Sequence, residues 1–317
     1  MMAPLMSEQP PVEVRDLTHD YGERRVLRGV DFSVAPGEVF GLLGPNGGGK
    51  TTLFRILATL LRPTGGSAAV FGRDVTRRAA EVRSLIGVVF QAPALDRKLT
   101  VLENLLVQGR LYGLGGRALR AAADEMLRRV GLLDRARDAV SRLSGGLMRR
   151  AEIAKGLLHR PRLLIMDEPS TGLDPSARQD LWSLIGELRR SDGTTILMTT
   201  HLMEEAERCD RLAILSEGEL VALGTPRQLK DEIGGDVVVI STGSPEEVRR
   251  AIEARFGGPV RIVDGTVRIE RPAAHELIPG LVAALGDRIE SLTLGRPTLL
   301  DVFVHRTGRR FQGDQAA

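Results

Sequence analysis

Cysteine is nearly absent from this chain of 317 residues. The single thiol, Cys209, cannot close an internal disulfide, and no Cys/His cluster has zinc spacing. The pattern points to a reducing, cytosolic setting, with Cys209 as a small buried hydrophobe. Long apolar runs are missing too. None approaches the roughly 18 to 20 residues needed to cross a bilayer, so any work at a membrane must pass through a partner. The opening MMAPLMSEQPP lacks a basic segment followed by an apolar core and does not read as a secretory signal. Aromatics are 3% of the residues, and of 44 basic residues only Lys50, Lys98, Lys155 and Lys230 are not Arg. Net charge is +3, and the basic residues are scattered rather than clustered with aromatics, so no nucleic-acid partner is expected. What remains is a globular balance, 42% hydrophobic and 27% charged, in a chain long enough for two domains.

Short apolar segments at residues 12–17, 26–34 and 38–44 read as strands separated by turn residues. The third runs directly into GPNGGGKTTLFRIL, where glycines give way to helical spacing at Leu53, Ile56, Leu57 and Leu60. Residues 100–133 are helical by pattern and look like an insert. Strand signals return at 162–167, 194–200 and 211–216, with a helix over about 175–190 between the first two. Buried parallel strands alternating with helices imply a wound α/β core. The Gly234-Gly235 pair reads as a hinge. Beyond it the order is strand (237–241), helix (245–256), strand (260–263), strand (266–270), helix (275–285) and strand (288–294), with a final helix from Pro297. That βαββαβ order suggests a small ferredoxin-like domain.

Gly44, Gly49, Lys50 and Thr51 satisfy GxxxxGK[ST], a loop whose backbone N–H groups curl around phosphates at a helix amino terminus. Pro45, Asn46, Gly47, Gly48 and Thr52 complete the candidate cradle. Lys50 sharpens the motif. A chain that otherwise writes Arg uses the compact ammonium where a point charge must sit between the β and γ phosphates. The Thr51 hydroxyl is placed to meet Mg²⁺, and Asp167, at the end of an apolar strand, to hold the metal's water shell. Glu168, one residue further, is positioned to polarise an attacking water. A second glycine-rich helix start, LSGGLMRR, sets the Ser144 hydroxyl and the N–H groups of Gly145 and Gly146 at a positive helix end.

The order of these motifs, together with FQAPALD, LIMDEPSTGLD and TTHLMEEAE, resembles an ABC transporter ATPase over residues 12–228. The resemblance implies an α/β fold: a P-loop NTPase (ABC ATPase) domain over 12–234 with a helical insert at about 92–150. A flexible N-terminus over 1–11 would precede it, and a small α+β ferredoxin-like domain over 235–317 would follow in a regulatory or packing role. It further implies that Tyr21 stacks on the adenine of ATP, that Gln91 senses Mg²⁺ and the membrane partner, that Asp174 links two active sites, and that His201 holds the γ-phosphate. In that family two ATPase domains close head to tail, with ATP between the phosphate loop of one and the Ser144–Gly146 motif of the other. One chain carries one copy of each motif, so the unit would be a homodimer. Its expected place is the cytoplasmic face of a membrane, bound to a transmembrane permease subunit. The tail GRPTLLDVFVHRTGRR is similar to that of the daunorubicin-resistance and multidrug-export branch, through Pro297, Thr298, Leu299, Asp301, Val302, Phe303, Thr307 and Gly308. Leu147 departs from the usual glutamine, and Gly48 from the usual Ala or Ser. A soluble ABC ATPase acting on ribosomes or DNA is the alternative; such proteins usually pair two ATPase domains or carry a long coiled coil, and neither is written here.

Overall fold

The computed structural model describes residues 9–311, so most of the stretch expected to be flexible at the amino terminus lies outside it. The chain begins with β1 (Val12–Tyr21) and β2 (Arg24–Val34), then β3 (Val39–Leu43), which ends in the glycine loop and α1 (Lys50–Leu57). Next come β4 (Gly65–Val70), β5 (Arg73–Asp74), α2 (Ala79–Leu85) and β6 (Ile86–Val89). A helical segment follows, made of α3 (Val101–Leu111), α4 (Gly116–Arg129) and α5 (Gly145–Leu157), the last running past the bound of about 150 expected for the insert. The chain then returns through β7 (Leu163–Asp167), α6 (Pro175–Asp192), β8 (Thr195–Thr200), α7 (Met203–Ala206), β9 (Arg211–Ser216), β10 (Glu219–Gly224) and α8 (Pro226–Asp231).

Two sheets organise this part. β2-β1-β4-β5 is antiparallel, while β10-β9-β3-β8-β7-β6 is parallel except for its edge strand β10. Every residue of β3, β7 and β8 is buried, as a parallel sheet covered on both faces requires. One face packs Phe40, Leu42 and Ile165 against α1 and the antiparallel sheet; the other packs Leu164, Met166 and Met198 against the insert and α6. The carboxyl ends of β3, β8, β7 and β6 therefore lie side by side. β3, β8 and β7 are followed at once by Gly44, His201 and Glu168, and β6 one residue later by Gln91, all singled out in the sequence. Ligand sites of wound α/β sheets form at such an edge.

The remaining elements are β11 (Asp236–Ser241), α9 (Pro245–Phe256), β12 (Val260–Val263), β13 (Thr266–Arg271), α10 (Ile278–Leu285), β14 (Ser291–Gly295) and α11 (Leu299–Thr307). The sheet order is β12-β13-β11-β14 with every pair antiparallel, the ferredoxin-like arrangement. Two boundaries differ from the sequence pattern. The helix expected from 275 starts regular winding at Ile278, where Pro279 occupies its first turn and has no N–H to lose. The strand expected from 288 starts at Ser291, after a tight turn over Gly286–Arg288.

At Gly235 the chain passes close to another backbone segment. A Cβ there would lie 2.2 Å from the Arg271 carbonyl carbon, so glycine is required for close backbone approach. Hydrophobic packing also crosses this point: Leu43, Ile214 and Leu229 share one buried cluster with Val237, Leu299, Val302 and Phe303. α11, whose amino terminus is closed by a Thr298–Asp301 capping box, thus packs back on the glycine-loop side of the molecule.

Candidate active site

The glycine loop has its shape for steric reasons. A Cβ at Gly44 would stand 2.3 Å from the Leu215 carbonyl oxygen, and Gly49 has φ 103°, a left-handed backbone that disfavours any side chain. α1 starts directly at Lys50 with no side-chain cap and no acidic residue in its first turn. Its first N–H groups and its positive dipole end are left for an external anion. Lys50 is almost wholly buried and folds back over the loop: Nζ donates to Gly44 O at 2.7 Å and Pro45 O at 3.1 Å. Burial pulls its pKa down, and the neighbouring carboxylate of Glu168 opposes that pull.

Strand β7 delivers the two acids. Its register sets Asp167 opposite Thr199 of β8, and Thr199 Oγ1 donates to Asp167 Oδ1 at 2.6 Å while accepting the Glu168 N–H at 2.9 Å. Glu168 has φ 43°, a left-handed conformation costing a non-glycine residue on the order of 1–3 kcal/mol. The bond to Thr199 helps to hold it. The turn aims the carboxylate at four groups. Oε1 is 3.5 Å from Lys50 Nζ; Oε2 accepts from Gln91 Nε2 at 3.1 Å and from Thr171 Oγ1 at 3.2 Å; and His201 Nδ1 stands 3.1 Å from Oε2, off the line of a hydrogen bond.

The two adjacent carboxyls are pushed in opposite directions. His201 first and then Lys50 hold Glu168 below the usual glutamate range against the effect of burial, and Glu168 in turn raises His201. Asp167 is raised by burial, an effect that the Thr199 hydrogen bond and Lys50 offset only in part. Such splitting separates the tasks two neighbouring acids can perform.

Lys50, Gln91, Asp167, Glu168 and His201 are thus brought together. Ser144, Gly145, Gly146 and Asp174 form a second group. Ser144 Oγ accepts weakly from Leu147 N at 3.4 Å, Asp174 caps α6 through the Ala177 N–H at 2.9 Å, and a Cβ on Gly146 would sit 2.8 Å from the Ala177 Cβ. Among the described residues no hydrogen bond or ion pair links this group to Lys50 or Glu168. Leu147 packs partly buried on the insert's core. Tyr21 stands at the end of β1, 46% exposed, with its ring edge-on to His19.

The chain is similar to known proteins over most of its length. Residues 27–171 match the family model described as "ABC transporter". The chain is 42% identical to the daunorubicin resistance ATP-binding protein DrrA3 of Streptomyces coeruleorubidus, over 91% of this chain and 93% of that protein. It is 41% identical to the Nod factor export ATP-binding protein I of Rhizobium meliloti (strain 1021), over 95% and 89%. The chain belongs to the ABC transporter ATP-binding family. Among solved structures, cbiO1 from Clostridium perfringens, part of the ABC transporter complex cbiONQ, superposes with a TM-score of 0.66 at 28% identity, covering 78% of this chain and 96% of that one. An ATP-binding cassette solved as a dimer in a post-hydrolysis state with ADP and Pi gives 0.62 at 28% identity, covering 68% and 98%.

As an ABC ATPase, the chain binds nucleotide and hydrolyses ATP to power transport. No helix among the described residues is long and apolar enough to cross a membrane. Beside the Gln91 loop of the cassette lies a cavity of about 200 Å³ lined by Leu60, Phe90, Tyr112, Lys155 and His159. Tyr112 stacks on His159 at 3.8 Å, and His159 Nε2 is anchored 2.9 Å from Ile86 O.

Sequence reasoning missed Thr199 and Thr171. Thr199 matters only because β8 lies next to β7 in that register, and strand adjacency is not written in either strand. It also missed Arg149 and Glu152, whose i,i+3 spacing was visible but whose partners, in a loop some 60 positions away, were not.

Proposed function

We propose that this chain is the ATP-hydrolysing subunit of an export system, working as a homodimer at the cytoplasmic face of a membrane and driving a separate transmembrane permease for drug-like or other hydrophobic compounds. The names of the relatives, daunorubicin resistance and Nod factor export, support the outward direction. The observation that carries the reading is the convergence of Lys50, Gln91 and His201 on Glu168. We take residues 12–234 as the motor, with the insert at about 92–150, and 235–317 as a packing or regulatory module.

ATP would lie with its phosphates in the loop Gly44-Pro45-Asn46-Gly47-Gly48-Gly49-Lys50-Thr51-Thr52 and its adenine against Tyr21. Ser144, Gly145 and Gly146 of a second copy would close over the γ-phosphate, with Asp174 joining the two sites. Lys50 neutralises phosphate charge, His201 holds the γ-phosphate, and Glu168, ionised at neutral pH, accepts a hydrogen bond from the attacking water. The donor set fits magnesium: Thr51 would supply a hydroxyl, Asp167 a carboxylate and Gln91 an amide oxygen, and among the described residues no three His, Cys, Asp or Glu side chains converge on a metal. Mg²⁺ characteristically takes one or two protein oxygens and completes its shell with water and phosphate. When bound, it offsets the charge that builds on the β and γ phosphates.

The cavity beside Gln91, with Leu60 and Tyr112 at its rim, is the proposed seat of the permease. Glu168→Gln tests the mechanism. The variant is expected to bind ATP, dimerise and hardly turn over; hydrolysis at the wild-type rate would remove Glu168 from its role.

A further inference from the structure

Helix α5 is fastened to the Gln91 loop by its own side chains. Arg149 and Glu152 are both nearly buried and joined at 2.8 Å, yet each reaches beyond the helix. Arg149 Nη1 donates to Phe90 O at 2.6 Å and Nη2 to Gln91 O at 3.2 Å. Glu152 Oε1 accepts the Ala94 N–H at 2.7 Å, and one turn on, Lys155 Nζ donates to Ala94 O at 2.6 Å. Residues 91–95 make no backbone-to-backbone hydrogen bond among the described residues, and Pro93 has no N–H to offer. The path of this loop is therefore set by α5.

A buried ion pair is a poor device for stability alone, because apolar side chains of similar volume often serve as well or better. What this pair can do, and apolar groups cannot, is pin two successive carbonyls and one N–H at hydrogen-bonding distance. The planar fork of Arg149 suits adjacent carbonyls in a way a lysine does not. The Gln91 side chain, carried on the pinned segment, then meets Glu168 at 3.1 Å.

We infer that Arg149 and Glu152 are positioning residues for hydrolysis: they hold Gln91 against Glu168 and make the helix that begins at Ser144 and the Gln91 loop move as one piece. This rests on the proposed role of Glu168. It adds that a shift of α5 reaches Glu168 through Gln91, and that displacement of the loop from the neighbouring cavity reaches α5 through Arg149.

The test is a double-mutant cycle on the full-length chain, reading kcat and the KM for MgATP. Arg149→Lys is expected to lower kcat about tenfold with KM changed less than about threefold, in the range of coupling between residues that share a network. Gln91→Ala should cause a loss of similar size, and the double variant should be no slower than Gln91→Ala alone. Multiplied losses in the double variant, or an unchanged kcat in Arg149→Lys, would overturn the inference. If Arg149→Lys does not fold, Lys155→Met leaves the buried pair intact. It should lower kcat about two- to threefold in the wild-type background and not at all beside Gln91→Ala; no loss in the first, or equal loss in both, rejects the idea. Normal turnover in Glu168→Gln would sink the catalytic reading while leaving the Arg149–Gln91 coupling as a separately measured quantity.

Discussion

Lys50 Nζ and Glu168 Oε1 lie 3.5 Å apart with both side chains more than nine-tenths buried. The strongest positive charge of the loop and the candidate water-activating carboxylate are thus mutual counter-ions within one small volume. A γ-phosphate entering there would compete with Glu168 for the ammonium.

Removing the ammonium should therefore affect binding first. Lys50→Met is expected to weaken ATP binding by about ten- to a hundredfold, the loss of hydrogen bonds to a charged partner worth roughly 1.5–3 kcal/mol. Calorimetric titration with MgATP checks this. Affinity within threefold of wild type would show that the loop N–H groups alone hold the nucleotide.

Acid and base should loosen the Glu168–His201 contact from opposite sides. His201 is raised above its ordinary 6.5, so the contribution of its protonated form is complete below that value and is lost as pH rises through the raised one. Glu168 is depressed below its ordinary 4.5, so its contribution is present above that value and disappears as pH falls through the depressed one. The difference in melting temperature between wild type and His201→Gln should peak at about pH 5 to 6 and close toward both alkaline and strongly acid pH. A gap that stays constant from acid to alkaline conditions would mean the pair does not contribute to the folded state.

Thr199 serves two masters, Asp167 and the Glu168 N–H. Thr199→Val keeps the shape but leaves a buried donor and a buried carboxylate oxygen short of a partner, at a cost of about 1–3 kcal/mol. Thr199→Ser restores the hydroxyl and should recover most of that. Urea unfolding of the three proteins decides; equal stabilities would mean that the hydroxyl contributes nothing.

In the carboxy-terminal part, Arg268 and Asp301 form a nearly buried ion pair, and Asp301 Oδ2 also accepts the Thr298 N–H at 2.8 Å. Asp301→Ala leaves the guanidinium buried and uncompensated and should destabilise the fold by about 3–5 kcal/mol, whereas adding Arg268→Met should restore much of the loss. Thermal unfolding reads both. Because α11 shares a hydrophobic cluster with Leu43 and Ile214, the melting of the ATPase part should fall as well. A second, unaltered transition would show that the two parts unfold independently.

By itself the sequence determined the local chemistry. The glycine positions, Lys50, the Asp167-Glu168 pair at the end of an apolar strand, Ser144 as a helix cap and the βαββαβ order were all legible. Each depends on residues close together in the chain, where backbone sterics and periodicity act directly. Tertiary structure alone decided which residues face one another. The sheet order β9-β3-β8-β7-β6 brought Gly44, His201, Glu168 and Gln91 to one edge and set Thr199 under the two acids. It also brought Gly235 against the Arg271 backbone and bound α5 to the Gln91 loop through Arg149 and Glu152. The physical reason is that strand adjacency and buried charge pairing are settled by packing among segments tens to hundreds of residues apart, and no single segment carries a record of its neighbour.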